Sequence, residues 1–184
     1  MRKLGLIVLA GVILALTVLI TAWPALQELR RAKNWNVIRT KNQEGDLAGV
    51  RVSLDAGQAM IFPADPSRAI LYLRLGLQGD RDTLNQWLIC DIGLTDSQGR
   101  KWLPLTNTLG LEVIKLLGDA DGSGQSCGQS LVKVPEDGSP SYSVQAFLVP
   151  VEVLDDLRVE ISSITTRPNA LSLPFRPELR PPPT

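Results

Sequence analysis

The nineteen residues Leu4–Ala22, LGLIVLAGVILALTVLITA, contain no charged side chain. As a helix they would rise about 28 Å, close to the hydrocarbon thickness of a bilayer. Trp23 follows, where an aromatic ring suits the headgroup level. This predicts a single transmembrane anchor over residues 4–23, behind a basic head at 1–3. A cleaved signal peptide is the competing reading. Its apolar region would be shorter, and it would end in a small-x-small site rather than run into Trp23-Pro24. An uncleaved anchor is therefore expected.

Orientation rests on the flanking charges. Arg2 and Lys3 stand before the span; Arg30, Arg31 and Lys33 stand after it. Raw counting favours a cytoplasmic C-terminal part. Long domains, however, translocate largely regardless of charge. A short basic head before an apolar run is also the usual start of an export signal. The expectation is N-terminus inside, with the domain on the extracytoplasmic face of a cell inner membrane.

Residues 24–46 read as a juxtamembrane helix and linker. Ala25, Leu26, Leu29 and Ala32 make a narrow apolar stripe beside the basic residues, and the polar stretch 34–46 shows no period. Beyond it, segments 49–54 and 157–161 alternate apolar and polar residues, as half-buried strands do. Segments 59–62, 68–77, 141–150 and 170–175 read as strands too, and 55–58 as a turn. Gln86–Leu105 reads as a hairpin. Trp87–Leu94 forms its first strand, Asp96-Ser97-Gln98-Gly99 its turn, and Trp102–Leu105 a second strand cut short by Pro104. The run 106–117 fits either a helix, capped by Thr108 and ended by Gly118, or a strand. Gly118–Gly138 reads as a long loop with a short strand at 131–134, and 177–184 as a Pro-rich disordered tail. Seven or eight short strands and little helix predict a mainly β domain over 47–176, an antiparallel sandwich.

Lys plus Arg and Asp plus Glu are both 19, so the net charge is zero and no footprint for nucleic acid exists. There is no His, which excludes His-dependent triads and His-liganded zinc. Two cysteines occur, Cys90 and Cys127, without a C-x-x-C motif. Two readings stand for them. One is a disulfide, which suits an oxidising compartment. The other is a buried strand thiol and a separate loop thiol.

Other constellations are weak. Asp119-Ala120-Asp121-Gly122 lacks the further ligands of a calcium loop and reads as a turn. Asp155 and Asp156, with Glu152 and Glu160, read as turn and strand-surface residues rather than an acid–base pair. Ser130 and Lys133 fit S-x-x-K by count, on a loop edge rather than a helix; Ser123 and Ser126 share that loop. Pro174–Pro177 matches P-x-x-P but reads as a terminus. Trp87 and Trp102 flank the central turn; an exposed pair would form an interaction surface for a partner, but core packing of a sandwich is the preferred reading. No catalytic, metal or cofactor site is expected.

The turn LTDSQGRKW (94–102) and the later pair VQAFLVPVEVLDDLRVEI (144–161) resemble the immunoglobulin-like (telokin-like) sandwich domains of bacterial envelope proteins. The resemblance spans residues 49–175 and implies an immunoglobulin-like sandwich and an envelope location. It implies no functional residue. The expected protein is non-enzymatic: a membrane-anchored interaction domain, a component or adaptor of an envelope protein complex. The alternative is an ion- or ligand-binding sensor domain that uses the Gly118–Gly138 loop.

Overall fold

The computed structural model describes residues 36–118, 126–132 and 134–181, together with Thr17. The expected anchor, residues 4–23, lies outside the described residues apart from Thr17. Among the described residues no helix is long and apolar enough to cross a membrane.

Among the described residues, ten strands form two sheets. The first contains β1 (Asn36–Arg39), β9 (Asn169–Pro174), β8 (Arg158–Ser163), β5 (Cys90–Thr95) and β6 (Lys101–Trp102), in that order. The second contains β10 (Glu178–Leu179), β3 (Val50–Ile61), β4 (Arg68–Gln78) and β7 (Ser141–Pro150), with β2 (Glu44–Leu47) also on the β3 edge. Pairing is antiparallel except at two edges, where β1 runs parallel to β9 and β10 parallel to β3. The mainly β, two-sheet expectation therefore holds at that level.

The core follows from alternation. In β4, Leu71, Leu73, Leu75 and Leu77 point between the sheets and are wholly buried. They meet Val159 and Ile161 of β8 and Leu171 and Leu173 of β9 in one cluster. The opposite face of β4 is covered as well. There Ile70 and Tyr72 pack with Met60, Ala146, Val113, Ile114 and Leu117. The last three belong to helix α2 (Thr108–Leu117), which lies on the outside of the second sheet. The result is sheet, sheet, helix: two apolar interfaces with β4 between them.

Several expectations change. The stretch 34–46, read as linker, contains β1 and all of β2 but its last residue. Each is short and leaves residues of both its faces largely in water, so neither needs the apolar alternation of a half-buried strand. The expected turn 55–58 is a bulge inside one twelve-residue strand, β3. The extra residue at Asp55 shifts the register: Leu54 opposes Leu75, and Ala56 opposes Arg74. Trp87–Ile89 is not strand. Helix α1 (Arg81–Asn85) precedes it, capped by Asp80, whose side chain accepts from the Thr83 amide. The 106–117 segment is helical, but its cap is Asn107 rather than Thr108. A helical turn, α3 (Cys127–Ser130), precedes the expected strand at 131–134, of which the described residues 131, 132 and 134 are not strand. Within the expected tail, Glu178 and Leu179 form β10 on β3.

Gly57 shows how closely the interior is filled. A methyl group on it would stand 2.3 Å from the buried Phe175 ring. Gly57→Ala is expected to destabilise the domain by about 1–3 kcal/mol, the usual cost of overpacking. Urea unfolding should show a lower midpoint with an unchanged slope; an unchanged midpoint would mean the ring moves freely.

Candidate functional site

The outer faces of the two sheets differ. Helix α2 covers the second sheet, whereas the first sheet turns a polar face outward. A groove of about 1030 Å³ runs over it. Register places the side chains. Arg39 opposes Ser172, Ser172 opposes Glu160, and Glu160 opposes Gly93. These residues cross β1, β9, β8 and β5 as one row. Strict alternation in β8 sends Val159 and Ile161 inward and Arg158 and Glu160 outward.

Glu160 sits at the middle of the face with its side chain only 12% exposed, and Lys101 donates to it at 3.1 Å. Gly93 permits this contact. A methyl group on Gly93 would stand 2.9 Å from Lys101 Cε, so the lysine stem crosses β5 where no side chain stands. Nearby, Arg167 pairs with Asp91.

Arg158 is held by neutral acceptors. It donates to Ser172 Oγ at 2.8 Å, to the Ser172 carbonyl at 2.6 Å and to the Thr40 carbonyl at 2.8 Å. These bonds tie β8, β9 and the end of β1 together. Burial, and then the neighbouring Arg39 guanidinium, lower the Arg158 pKa below its ordinary value, though it stays charged. Arg39 is exposed and forms no ion pair among the described residues. Two guanidinium groups thus share one edge of the face without a carboxylate between them.

The far end of the groove is shaped by the β5–β6 turn. Gly99 takes φ +79°, as the turn reading requires. Asp96, its side chain 1% exposed, accepts from the Arg100 amide at 2.8 Å and from Arg100 Nε at 2.6 Å. Burial opposes its charge, but these bonds to Arg100 outweigh burial and hold the carboxyl below its ordinary pKa. Asp156 accepts from the Ser97 hydroxyl and amide, which lower its pKa and tie the turn to the 3₁₀ segment Val151–Asp156.

At the opposite end, Cys90 and Cys127 are joined by a disulfide with Cα atoms 5.9 Å apart. It fastens α3 to the start of β5. The Leu88 carbonyl packs so close to Gly128 that a methyl group there would lie at 2.2 Å.

For Trp87 the core reading holds and the interaction-surface reading is corrected. Trp87 is 1% exposed within the main core and cannot meet a partner. Trp102 is partly buried against that core, with Arg100 over its ring at 5.6 Å. Asp155 and Asp156 belong to the 3₁₀ segment, while Glu152 faces Arg100 and Glu160 faces Lys101, so the four do not converge. The buried Ser130 hydroxyl donates to the Cys127 carbonyl at 2.7 Å. Lys133 and the 119–125 segment, with Ser123 and the Asp119–Gly122 motif, lie outside the described residues. Phe175, inside the P-x-x-P match, is fully buried. Among the described residues no group of three or more Cys, Asp or Glu could hold a metal. Sequence reasoning missed Arg39, Lys101 and Arg158 as site residues; the alternation of 157–161 was the signal that placed Arg158 and Glu160 on one face.

No family model and no curated protein matches the chain. Among solved structures, one described as "a putative lipoprotein" from Staphylococcus aureus is similar at TM-score 0.44 and 8% identity, over 78% of this chain and 96% of that one.

Because the folded state holds Asp96 below its ordinary pKa of 3.8, the unfolded chain takes up that proton first as pH falls. The contribution of Asp96 is therefore complete above about pH 5 and is lost progressively below about pH 4. Asp96→Asn should flatten the acid limb of a stability-versus-pH curve; an unaltered limb would assign acid sensitivity elsewhere. Replacing both cysteines by serine opens the loop across a 37-residue separation and should cost roughly 3–4 kcal/mol in the chain-entropy account. Denaturant melts of oxidised protein check this, and equal stability of the two forms would count against it.

Proposed function

We propose that this chain is a non-catalytic, single-pass membrane protein that presents an immunoglobulin-like (telokin-like) sandwich outside the cytoplasm to bind another envelope or membrane protein. The single observation carrying the binding role is the unequal covering of the two sheets. One outer face is sealed by α2; the other remains open, grooved and lined by arginines, lysine and carboxylates. A grooved, charge-patterned sheet face offers the register and orientation that protein recognition uses. The compartment is supported by the apolar segment 4–22 and by the Cys90–Cys127 disulfide, since such bonds persist in oxidising surroundings. The stacked sheets agree with the proposed sandwich class.

A photo-crosslinking side chain at Thr95, on the open face, should trap a discrete partner in intact membranes. The same group at Leu111, exposed on α2, should not. Arg39→Glu should cut the Thr95 adduct about tenfold, the equivalent of ~1.4 kcal/mol. Equal adducts from both positions, unaffected by Arg39→Glu, would refute a role for this face.

A further inference from the structure

The end of the first sheet at which the chain enters the domain is apolar. The Asn36 amide donates to the Pro168 carbonyl at 3.1 Å, and its side chain donates to Asn169 at 2.9 Å. β1 therefore begins beside the Ser163–Asn169 turn. That turn carries Ile164, 53% exposed, and the Ile164 amide donates to the carbonyl of Ile89, 65% exposed. Leu88, 43% exposed, stands next to it. Three large aliphatic side chains thus protrude from the end of the domain that adjoins the chain entry. Their backbone is held by the β5–β8 ladder and by the disulfide at Cys90.

We propose that this tip, Leu88, Ile89 and Ile164, rests in the headgroup region of the lipid bilayer. The proposal depends on the anchor reading of residues 4–22. Thirteen residues, 23–35, separate that segment from Asn36. Even fully extended they reach about 45 Å, and as a helix about 20 Å. The end of the domain bearing the tip is therefore the one held near the bilayer. A contact of three aliphatic side chains would be weak between free molecules. On a short tether it becomes intramolecular, at an effective concentration of order millimolar, where a weak contact suffices. Arg30, Arg31 and Lys33 in the connecting segment would add attraction to anionic headgroups.

The test uses the full chain, oxidised, in phosphatidylcholine vesicles with and without phosphatidylglycerol. The two native cysteines are joined, so one introduced cysteine accepts a spin label selectively. Labels at Ile89→Cys and Ile164→Cys should be accessible to oxygen and shielded from an aqueous nickel chelate. A label at Gln98→Cys, on the turn at the opposite end of β5, should show the reverse. Introducing Ile89→Asp and Ile164→Asp together should return a label at Leu88→Cys to water; these side chains are exposed, so the fold is preserved. If the chain resists alkaline extraction yet every label reads as aqueous, the tip proposal falls while the anchor stands. If the chain is extracted, the anchor reading falls and the tip proposal with it.

Discussion

Burial of β4 on both faces is the constraint on which the rest of the structure depends. A strand with one wet face needs one partner layer; β4 needs two. Its leucines at 71, 73, 75 and 77 require the first sheet, and Ile70 and Tyr72 require α2. The two requirements have different consequences outside the core. Covering the second sheet with a helix leaves that face unavailable for recognition. The first sheet is satisfied by its inner face alone, so its outer face stays free to carry charge. The open face and the double burial of β4 are thus two results of one arrangement.

The bulge at Asp55 lets one strand serve this scheme. Before it, Val50, Val52 and Leu54 point toward the first sheet. After it, Ala59 remains inside while Met60 joins the α2 interface. Without the extra residue, one half of β3 would place its apolar side chains on the wrong face. The bulge also lies on the edge of β3 between the short pairings to β2 and β10, and these divide that edge between them.

What was legible in the sequence reflects this physics. The 157–161 alternation gave β8 correctly because one of its faces is wet. The turn at 96–99 was legible because Gly99 needs positive φ and Asp96 bonds Arg100 locally. Where tertiary contacts decide, the signal failed. The apolar run 87–94 looked like one strand, yet Trp87 is buried after α1 while Leu88 and Ile89 turn outward. The polar 34–46 stretch looked like linker because short strands with both faces largely in water need no apolar alternation. Of the site, Glu160 was visible only as a surface residue, because its bond to Lys101 depends on a hairpin register and on a glycine that lets the lysine cross.

The position of β1 links the tether to the open face. It is the first described strand after the proposed anchor, and it forms the edge of the grooved sheet, with Arg39 at its end. Arg158 joins the Thr40 carbonyl to Ser172, so the exit of β1 is fastened to the centre of that face. In the proposed anchored arrangement, the tether would join the domain at an edge strand of the grooved sheet itself. The disulfide acts at the other end of the sheet, by the entry of β1, holding α3 against β5. In the proposed binding role, a partner would meet a face whose strands are already held together by the Arg158 bonds and the disulfide. This matters for affinity, because orientational freedom lost beforehand is not lost again on binding.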